Sequence, residues 1–323
     1  MVLALIEVSD MKKMKEKSVL NKIVVISICI LLAVYALTIL STLIWGLLTS
    51  LKSRIDFLYA DNKLGFPSLE LSREEFLGLK NYITILDEFE FSEEVRYLSN
   101  GKTIIHREDV NLIGLFFNTL IYAFAGSIIY VIVTCVMGYM CCKYQFLLSK
   151  IIYAFCLFMM SFHVIGTSAS EISMMRALNI YDSWVGHFMQ KFNFTGMYFF
   201  VFFAFFQGVP DSYTEAAEID GASQFKILTN IIIPLASKTL ATVMLMFFIT
   251  LWNDYQTPLL YFPTHPTLAY GVYYMVYQNP TGPLSFVPIK VAGCMVLAVP
   301  ILILFICLKD RLMGNVSVGG LKE

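Results

Sequence analysis

Charge is scarce in this sequence. Only 15% of its 323 residues are Asp, Glu, Lys or Arg, whereas 58% are hydrophobic. A soluble globular domain normally carries charge on about a quarter of its residues, so this balance excludes an ordinary soluble protein and favours a polytopic membrane protein. The formal net charge of −1 excludes a general attraction to nucleic acid, and no nucleic-acid partner is expected.

Motifs for catalysis and nucleotide binding are absent as well. The four histidines do not form the His-Glu-x-x-His pattern of a zinc hydrolase, and no Gly-x-x-x-x-Gly-Lys-Ser/Thr loop can cradle phosphates. The seven cysteines lie in apolar segments, and the pair Cys141 and Cys142 lacks the spacing of a redox or zinc motif. We therefore expect no enzyme activity, no catalytic residue, no metal and no cofactor bound by this chain.

Long apolar runs dominate what remains, and a helix needs roughly twenty apolar residues to cross a bilayer. The prediction is an all-α membrane protein with six transmembrane helices, at about 23–51, 112–142, 149–175, 196–209, 237–261 and 287–309. The corresponding organisation is a cytoplasmic N-terminal segment 1–22, a first transmembrane helix 23–51, an extracytoplasmic loop 52–110, a core 111–309 with five transmembrane helices, and a cytoplasmic tail 310–323.

Basic residues set the expected orientation. Lysines at positions 12, 13, 15, 17 and 22 precede the first span, which places the N-terminus in the cytoplasm by the positive-inside rule. Six spans return the C-terminus to the same side, beside Lys309 and Arg311. The loop 52–110 then lies outside the cell, where it either packs as a small subdomain or does not.

A polar, helix-forming island, residues 210–236, separates two of the apolar runs and would lie in the cytoplasm. Asp211 and Ser212 can cap a helix that begins just after them, with Glu215 near its positive end. Gly221 follows as a permissive joint, because a residue without Cβ readily adopts a positive φ. Such an exposed element is a surface for a soluble partner; the alternative is a re-entry loop that only caps two spans.

The second half of the island predicts another amphipathic piece. Phe225, Leu228 and Ile232 recur there at helical spacing. Pro234 then interrupts the helix as the chain re-enters the bilayer, because proline removes one backbone donor.

These residues resemble the signature of the permease subunits of binding-protein-dependent ABC importers. That pattern is Glu-Ala-Ala, three residues, Gly, nine residues, then Ile-x-Leu-Pro. In this sequence it is matched by Glu215-Ala216-Ala217, Gly221 and Ile231-x-Ile233-Pro234. Isoleucine replaces leucine in the last part, which conserves volume. The fuller string at 215–222 looks like the carbohydrate-importer branch.

The resemblance implies the type I importer permease fold and a division of labour. The island would be a coupling helix seated in a cleft of a separate ATPase subunit, which would hold the ATP and Mg²⁺. The other implied partners are a second, homologous permease subunit, a second ATPase subunit, an extracytoplasmic solute-binding protein, a carbohydrate substrate and the lipid bilayer of the bacterial cytoplasmic membrane. The residues expected to contact the ATPase subunit are Glu215, Ala216, Ala217, Asp220, Gly221, Ala222 and Pro234.

Two alternatives stay open at this point. A permease for a different solute is one, since span residues alone cannot name a ligand. An ATP-independent secondary transporter is the other, and it would need an ion-coupling acidic residue deep in the bilayer, a role open only to Glu171 and Asp254.

Polar residues within the predicted spans are candidates for the translocation pathway, because polar groups at membrane depth mostly face a cavity or another helix. One such stripe runs along the third span, at His163, Thr167, Ser170, Glu171 and Met174. Hydrogen bonding between helices is the alternative for the stripe, and interfacial anchoring is the alternative for Trp252. The candidate pathway residues are Asn118, Tyr122, Thr167, Glu171, Trp252, Asn253 and Asp254.

Overall fold

Helices make up most of the chain. The computed structural model describes residues 2–58, 62–68, 79–99, 102–144, 146–162, 166–278 and 282–313. Contacts divide the chain into two compact units, Met1–Asn81 and Tyr82–Glu323. The elements are α1 (Val2–Ser50), α2 (Arg54–Leu58), α3 (Leu79–Glu88), β1 (Glu90–Ser99), β2 (Lys102–Asn111), α4 (Leu112–Lys143), α5 (Leu147–Ser161), α6 (Ser168–Ala177), α7 (Trp184–Gln190), α8 (Met197–Gln207), α9 (Ser212–Ile219), α10 (Gln224–Ile227), a π-helical turn (Leu228–Ile232), α11 (Ile233–Leu235), α12 (Ser237–Trp252), α13 (Gln256–Tyr261), α14 (Leu268–Tyr277), a 3₁₀ turn (Pro283–Ser285) and α15 (Val287–Met313).

The first unit consists of the long helix α1 and a short hydrogen-bonded loop after it. The Lys52 side chain is fully buried, and its Nζ donates to the carbonyl oxygen of Asn62 at 2.7 Å. The Asp56 carboxylate accepts from Asn62 Nδ2 at 3.0 Å and from the Ser68 backbone N–H at 2.9 Å. Asn81 Nδ2 donates to the carbonyl of Lys52 at 2.9 Å. These bonds satisfy groups whose burial would otherwise be costly.

Three of the predicted apolar runs form helices long and apolar enough to cross a membrane. They are Asn21–Ser50 of α1, all of α4, and Val287–Leu308 of α15. A fourth crossing arises if two helices bent by 73°, Gln224–Leu235 and Ser237–Trp252, count together as one broken span. The helices α5 and α8 are apolar but shorter.

Two predicted spans are interrupted in the structure. The run 149–175 forms α5, which ends at Ser161, and the separate helix α6. Gly166 lies between them at a φ of +89°, a left-handed conformation that ends regular helix. The run 237–261 is divided into α12 and α13 by residues 253–255. His163 and residues 314–323 of the predicted tail lie outside the described residues.

The expectation of an all-α chain needs one correction. Strands β1 and β2 form a two-stranded antiparallel hairpin, with Glu90 opposite Asn111 and Ser99 opposite Lys102. The mixed charge of this segment obscured its strand-forming Val and Ile residues. The hairpin packs on α14 through Phe91, which is 1% exposed and has its ring centroid 4.9 Å from that of Tyr270.

The second unit is built around α4. Its N-terminal half packs with α12, α14 and α15 in a core that includes Leu115 and Trp252. Its C-terminal half packs with α8 and with the polar island in a second core, which includes Phe202 and Ile227. Gly138 permits the close approach of α4 and α8, because a Cβ there would lie 2.9 Å from the Phe202 Cβ.

Candidate functional site

The polar island folds as a helix, an elbow and a second, bent helical segment. Its first helix, α9, begins at Ser212, close to the predicted start. The Asp211 side chain, however, does not cap this helix as expected. Its carboxylate instead accepts from Lys143 Nζ at 2.7 Å, and the same ammonium donates to the carbonyl of Val209 at 2.6 Å. The side chain therefore ties the start of α9 to the end of α4.

The elbow follows at Gly221, as the sequence predicts. Its φ is +76°, a region that costs an L-residue roughly 1–2 kcal/mol. Two backbone bonds close the end of α9: Gly221 N–H donates to Glu218 at 3.0 Å, and Ala222 N–H donates to Ala217 at 2.9 Å. The Ser223 hydroxyl then accepts from a backbone N–H of α10. Nothing lies within 4 Å of a Cβ built on the glycine, so backbone strain alone favours glycine here.

The second half of the island departs from the predicted helical face. Phe225 is 75% exposed, whereas Ile227 and Ile232 are completely buried. The π-helical turn at Leu228–Ile232 increases the number of residues per helical turn. Residues that would share one face of a regular α-helix therefore do not share a face here. The 73° bend follows Leu235, directly after Pro234, and the buried Ala236 lies at the break.

The residues predicted to contact an ATPase subunit are mostly accessible. Glu215, Ala216, Asp220, Gly221 and Pro234 are exposed, Ala222 is half-buried, and Ala217 packs into the core at 8% exposure.

Two further residues on this surface were not among the predicted ATPase contacts, and Phe225 was predicted to lie on an amphipathic helix face instead. Ile219 is 87% exposed and Phe225 is 75% exposed. Large apolar side chains this accessible on a polar element are typical of a binding surface. The sequence signal that could have identified them as surface contacts is a single large apolar residue within an otherwise polar run.

A polar bridge joins the two sides of the elbow. Gln224 Nε2 donates to Glu218 Oε1 at 2.6 Å, and Gln224 Oε1 accepts from the hydroxyl of Tyr144. One side chain thus links α9, α10 and the segment after α4. Ala217 on α9 and Ile227 on α10 also pack into the same hydrophobic core. The element is therefore held as one piece against the helix bundle.

Two candidate pathway residues meet in the structure. The hydroxyl of Tyr122 on α4 donates to Asp254 Oδ2 at 2.8 Å, although the residues are 132 positions apart. Asp254 Oδ1 accepts from the backbone N–H of Thr257 at 3.0 Å, so this carboxylate also organises the start of α13. Tyr122 is fully buried. A hydrogen bond therefore connects the break between α12 and α13 to a buried side chain of α4.

A histidine and a lysine that sequence reasoning did not select complete this cluster. The His187 ring stacks on Tyr122 with 4.0 Å between centroids, and Lys191 Nζ lies 5.6 Å from the Tyr122 centroid. Both lie outside the apolar spans, at α7 and the residue after it. Burial, and secondarily the charge of Lys191, lowers the pKa of His187 to about 3, which makes the imidazole neutral. Burial also lowers the pKa of Lys191, although Asp254 opposes this effect.

The next candidates divide between the core and the surface. Trp252 is 2% exposed, and its Nε1 donates to the carbonyl of Leu297 at 3.0 Å, so it packs between α12 and α15. Asn253 is exposed, with Nδ2 bonded to the carbonyl of Ile249 at 2.9 Å. Asn118 Nδ2 donates to the Pro266 carbonyl at 3.1 Å, which ties α4 to the loop before α14.

The two candidates of the third predicted span do not join this cluster. Thr167 is exposed just before α6. Glu171 Oε2 accepts from the hydroxyl of Tyr261 at 2.7 Å, which links α6 to α13. Among the described residues, no group of His, Cys, Asp and Glu could hold a metal ion.

The fold therefore defines a membrane-embedded helical protein that presents a polar, elbowed element between the apolar helices α8 and α12. A family model, the binding-protein-dependent transport system inner membrane component, matches residues 111–317. This is more than half of the chain, and the chain belongs to that family. The resemblance inferred from the sequence is confirmed, and the protein is a multi-pass component of the cytoplasmic membrane.

Individual relatives agree with this assignment. The trehalose transport system permease protein SugB of Mycobacterium tuberculosis is 24% identical over 219 residues, which cover 64% of this chain and 78% of the relative. The maltodextrin transport system permease protein MdxG of Bacillus subtilis is 27% identical over 215 residues, covering 64% and 74%.

A solved structure supports the fold. One chain in the crystal structure of a bacterial ABC transporter involved in the import of the acidic polysaccharide alginate aligns with a TM-score of 0.68. The alignment covers 90% of this chain and 96% of that chain at 19% identity. At this identity the likeness shows the architecture alone.

Proposed function

We propose that this chain is the permease subunit of an ATP-driven importer, in which it forms half of the translocation pathway for a sugar or oligosaccharide. The observation that carries the proposal is the exposed, rigidly held element at 210–236 in a chain of the permease family. The relatives named for trehalose and maltodextrin transport support the solute class.

The proposed topology has six spans and both termini in the cytoplasm. Three long apolar helices, the Ser237–Trp252 helix of the bent pair and the shorter helices α5 and α8 supply the six crossings. The helix α8 has 11 residues and is therefore about 16 Å long, shorter than the roughly 30 Å hydrocarbon core. Irregular backbone next to it must complete that crossing, which a bilayer tolerates only where protein covers the backbone or a water-filled cavity borders it.

The element at 210–236 is the proposed coupling surface. Glu215 supplies an exposed carboxylate, and Ile219 and Phe225 supply apolar anchors that would be desolvated in a cleft of the ATPase subunit. Because Ala217, Ile227 and Ile232 are buried in the core with α4 and α8, a displacement of this surface would be transmitted to the transmembrane helices.

The partners follow from this division of labour. The assembly would contain a second, homologous permease subunit, two ATPase subunits that bind ATP and Mg²⁺, and an extracytoplasmic solute-binding protein. This chain would bind no nucleotide of its own. Its contribution would be the pathway and one mechanical contact.

The cluster of Tyr122, Asp254, His187 and Lys191 is the proposed polar part of the pathway or of its gate. Hydroxyl, carboxylate and ammonium groups can exchange hydrogen bonds with the hydroxyls of a sugar. The cluster lies where the chain between α12 and α13 is not helical, and discontinuous helices commonly form binding sites in transporters.

Charge reversal at Glu215 tests the coupling role. Glu215→Lys should leave membrane insertion intact, but abolish both solute uptake and the solute-stimulated ATP hydrolysis of the assembled complex. Glu215→Gln, which removes only the charge, should give an intermediate loss. Lys238→Glu is a matched control, because it reverses the charge of another exposed residue, in the first turn of α12. Normal ATPase stimulation in Glu215→Lys would contradict the proposal.

A panel of solutes tests the substrate class. The cognate solute-binding protein should melt at a higher temperature with a saccharide than with amino acids, peptides or inorganic ions. Stabilisation by a non-sugar alone would identify a permease for another solute. Uptake that continues without any ATPase subunit would identify an ATP-independent secondary transporter.

A further inference from the structure

A cavity of about 440 Å³ opens beside the coupling element, at the end of α4. It is bordered by the start of α5, by α8 and by the residue before α9. None of the pathway candidates lines it. The cavity is lined by Cys141, Cys142, Lys143, Ser149, Lys150, Tyr153, Phe203, Gln207 and Asp211.

The lining of this cavity carries more positive than negative charge. The Lys143 side chain is 13% exposed and is held in place by Asp211 and by the carbonyl of Val209. Lys150 is exposed, and it forms no hydrogen bond or ion pair with any residue that the structure describes. Two lysines and one aspartate therefore line the cavity, which leaves a net positive charge for an anionic ligand.

Ser149 and Gln207 add polar groups to the lining, and aromatic rings form part of the remainder, beside exposed apolar side chains of α5. The rings of Tyr153 and Phe203 lie 4.8 Å apart between centroids and form one wall of the cavity. Next to Lys150, the side chains of Leu147 and Ile151 on α5 are 77% and 54% exposed. Because α5 is one of the apolar helices, its exposed face suits acyl chains. Lys150 lies in the first turn of α5, and Lys143 is the last residue of α4. An amphiphile with an anionic head and apolar chains matches this arrangement.

We propose that this cavity binds the phosphate group of an anionic phospholipid, with Lys150 and Lys143 contacting the headgroup and the exposed face of α5 contacting its chains. Basic pockets between transmembrane helices on the cytoplasmic side are suited to such headgroups. The assignment to the cytoplasmic leaflet rests on the topology proposed above. Since Asp211 and a phosphate would compete for Lys143, lipid binding would also change the contact that holds the start of α9.

Lipid binding to the purified complex containing the full chain tests this inference directly. In nanodiscs of phosphatidylcholine that contain a fluorescent lipid, phosphatidylglycerol should bind more tightly than the zwitterionic lipid. Lys150→Gln should weaken phosphatidylglycerol binding about fivefold, the expected effect of one lysine near an anionic surface. Lys238→Gln, the matched control at an exposed lysine outside the cavity, should leave binding unchanged.

The competing arms separate a lipid from a free phosphate. Inorganic phosphate and glycerol phosphate should displace the lipid only at far higher concentrations, because they lack acyl chains. Displacement at equal concentration would show a soluble-phosphate site and overturn the lipid assignment. Equal losses in Lys150→Gln and Lys238→Gln, or no loss in Lys150→Gln, would also overturn it. The readout is lipid binding rather than transport, so it remains decisive if the coupling proposal fails.

Discussion

Replacement of Gly221 isolates the contribution of the elbow to coupling. The residue has a φ of +76°, and nothing lies within 4 Å of a Cβ at this position. Alanine therefore meets no steric obstacle, and its entire effect comes from the backbone conformation. Asparagine offers the complementary test, because it tolerates the left-handed region better than other residues with a Cβ.

The size of the effect follows from that conformation. A left-handed backbone costs an L-residue roughly 1–2 kcal/mol, and 1.4 kcal/mol corresponds to a tenfold change in an equilibrium. Gly221→Ala should therefore reduce the population of the observed elbow by about 5- to 30-fold relative to competing conformations. Binding of the ATPase subunit should weaken by at most the same factor, because the apparent affinity falls with the fraction of molecules that hold the elbow. Gly221→Asn should retain most of the wild-type affinity.

Gly166 provides a matched control for this experiment. Its φ is +89°, and a Cβ there also has nothing within 4 Å, so Gly166→Ala carries a similar strain outside the coupling element. The measurement is the affinity of the purified ATPase subunit for the permease complex, with uptake and thermal unfolding recorded in parallel. Both alanine variants should lower the unfolding temperature by a similar amount, but only Gly221→Ala should weaken ATPase binding.

Two outcomes would refute this reasoning. Wild-type affinity in Gly221→Ala would mean that the elbow conformation is not required for docking. Equal losses of affinity in Gly221→Ala and Gly166→Ala would mean that the effect is general destabilisation.

Three further predictions concern the core and the pathway cluster. Tyr122→Phe and Asp254→Asn should each destabilise the protein by about 1.5–3 kcal/mol, the usual range for a hydrogen bond to a charged group. In thermal unfolding, the double variant should lose less stability than the sum of the two single losses, because both remove the same 2.8 Å bond. Additive losses would contradict that bond. Trp252→Ala should cost about 3–5 kcal/mol of stability without changing the relative uptake of competing saccharides, and a change in selectivity would support a pathway role for this residue. Gly186→Ala should sharply reduce membrane accumulation, because its Cβ would lie 2.1 Å from a backbone carbonyl oxygen, whereas Gly208→Ala, with its nearest contact at 3.4 Å, should accumulate normally.

Several features of this protein could be predicted from local sequence because they depend on local chemistry. The apolar length of 112–142 is enough to specify the long helix α4. The elbow at Gly221 follows from the absence of a Cβ, and the family could be recognised from the spacing of Glu215, Gly221 and Pro234. None of these inferences needs a long-range contact.

Other features depend on neighbours that are distant in the sequence. The charge on Asp211 predicts a helix cap, but the cap is not formed because Lys143, 68 positions away, lies 2.7 Å from the carboxylate. The sequence offers Trp252 as a pathway residue or a membrane anchor, but it does not reveal that the Trp252 Nε1 donates to the carbonyl of Leu297, 45 positions away. The hairpin at 90–111 was missed because its strand signal is weak without the Tyr270 ring against which Phe91 packs.

The sequence alone determined that this chain is a membrane protein with a polar element between two apolar runs, because apolar length and residue spacing can be read from consecutive residues. Only the tertiary structure decided which polar groups meet. Tyr122 lies on α4 and Asp254 in the break between α12 and α13. Lys191 approaches Tyr122 from a third segment, just after α7, so these groups meet only once the three segments have packed together.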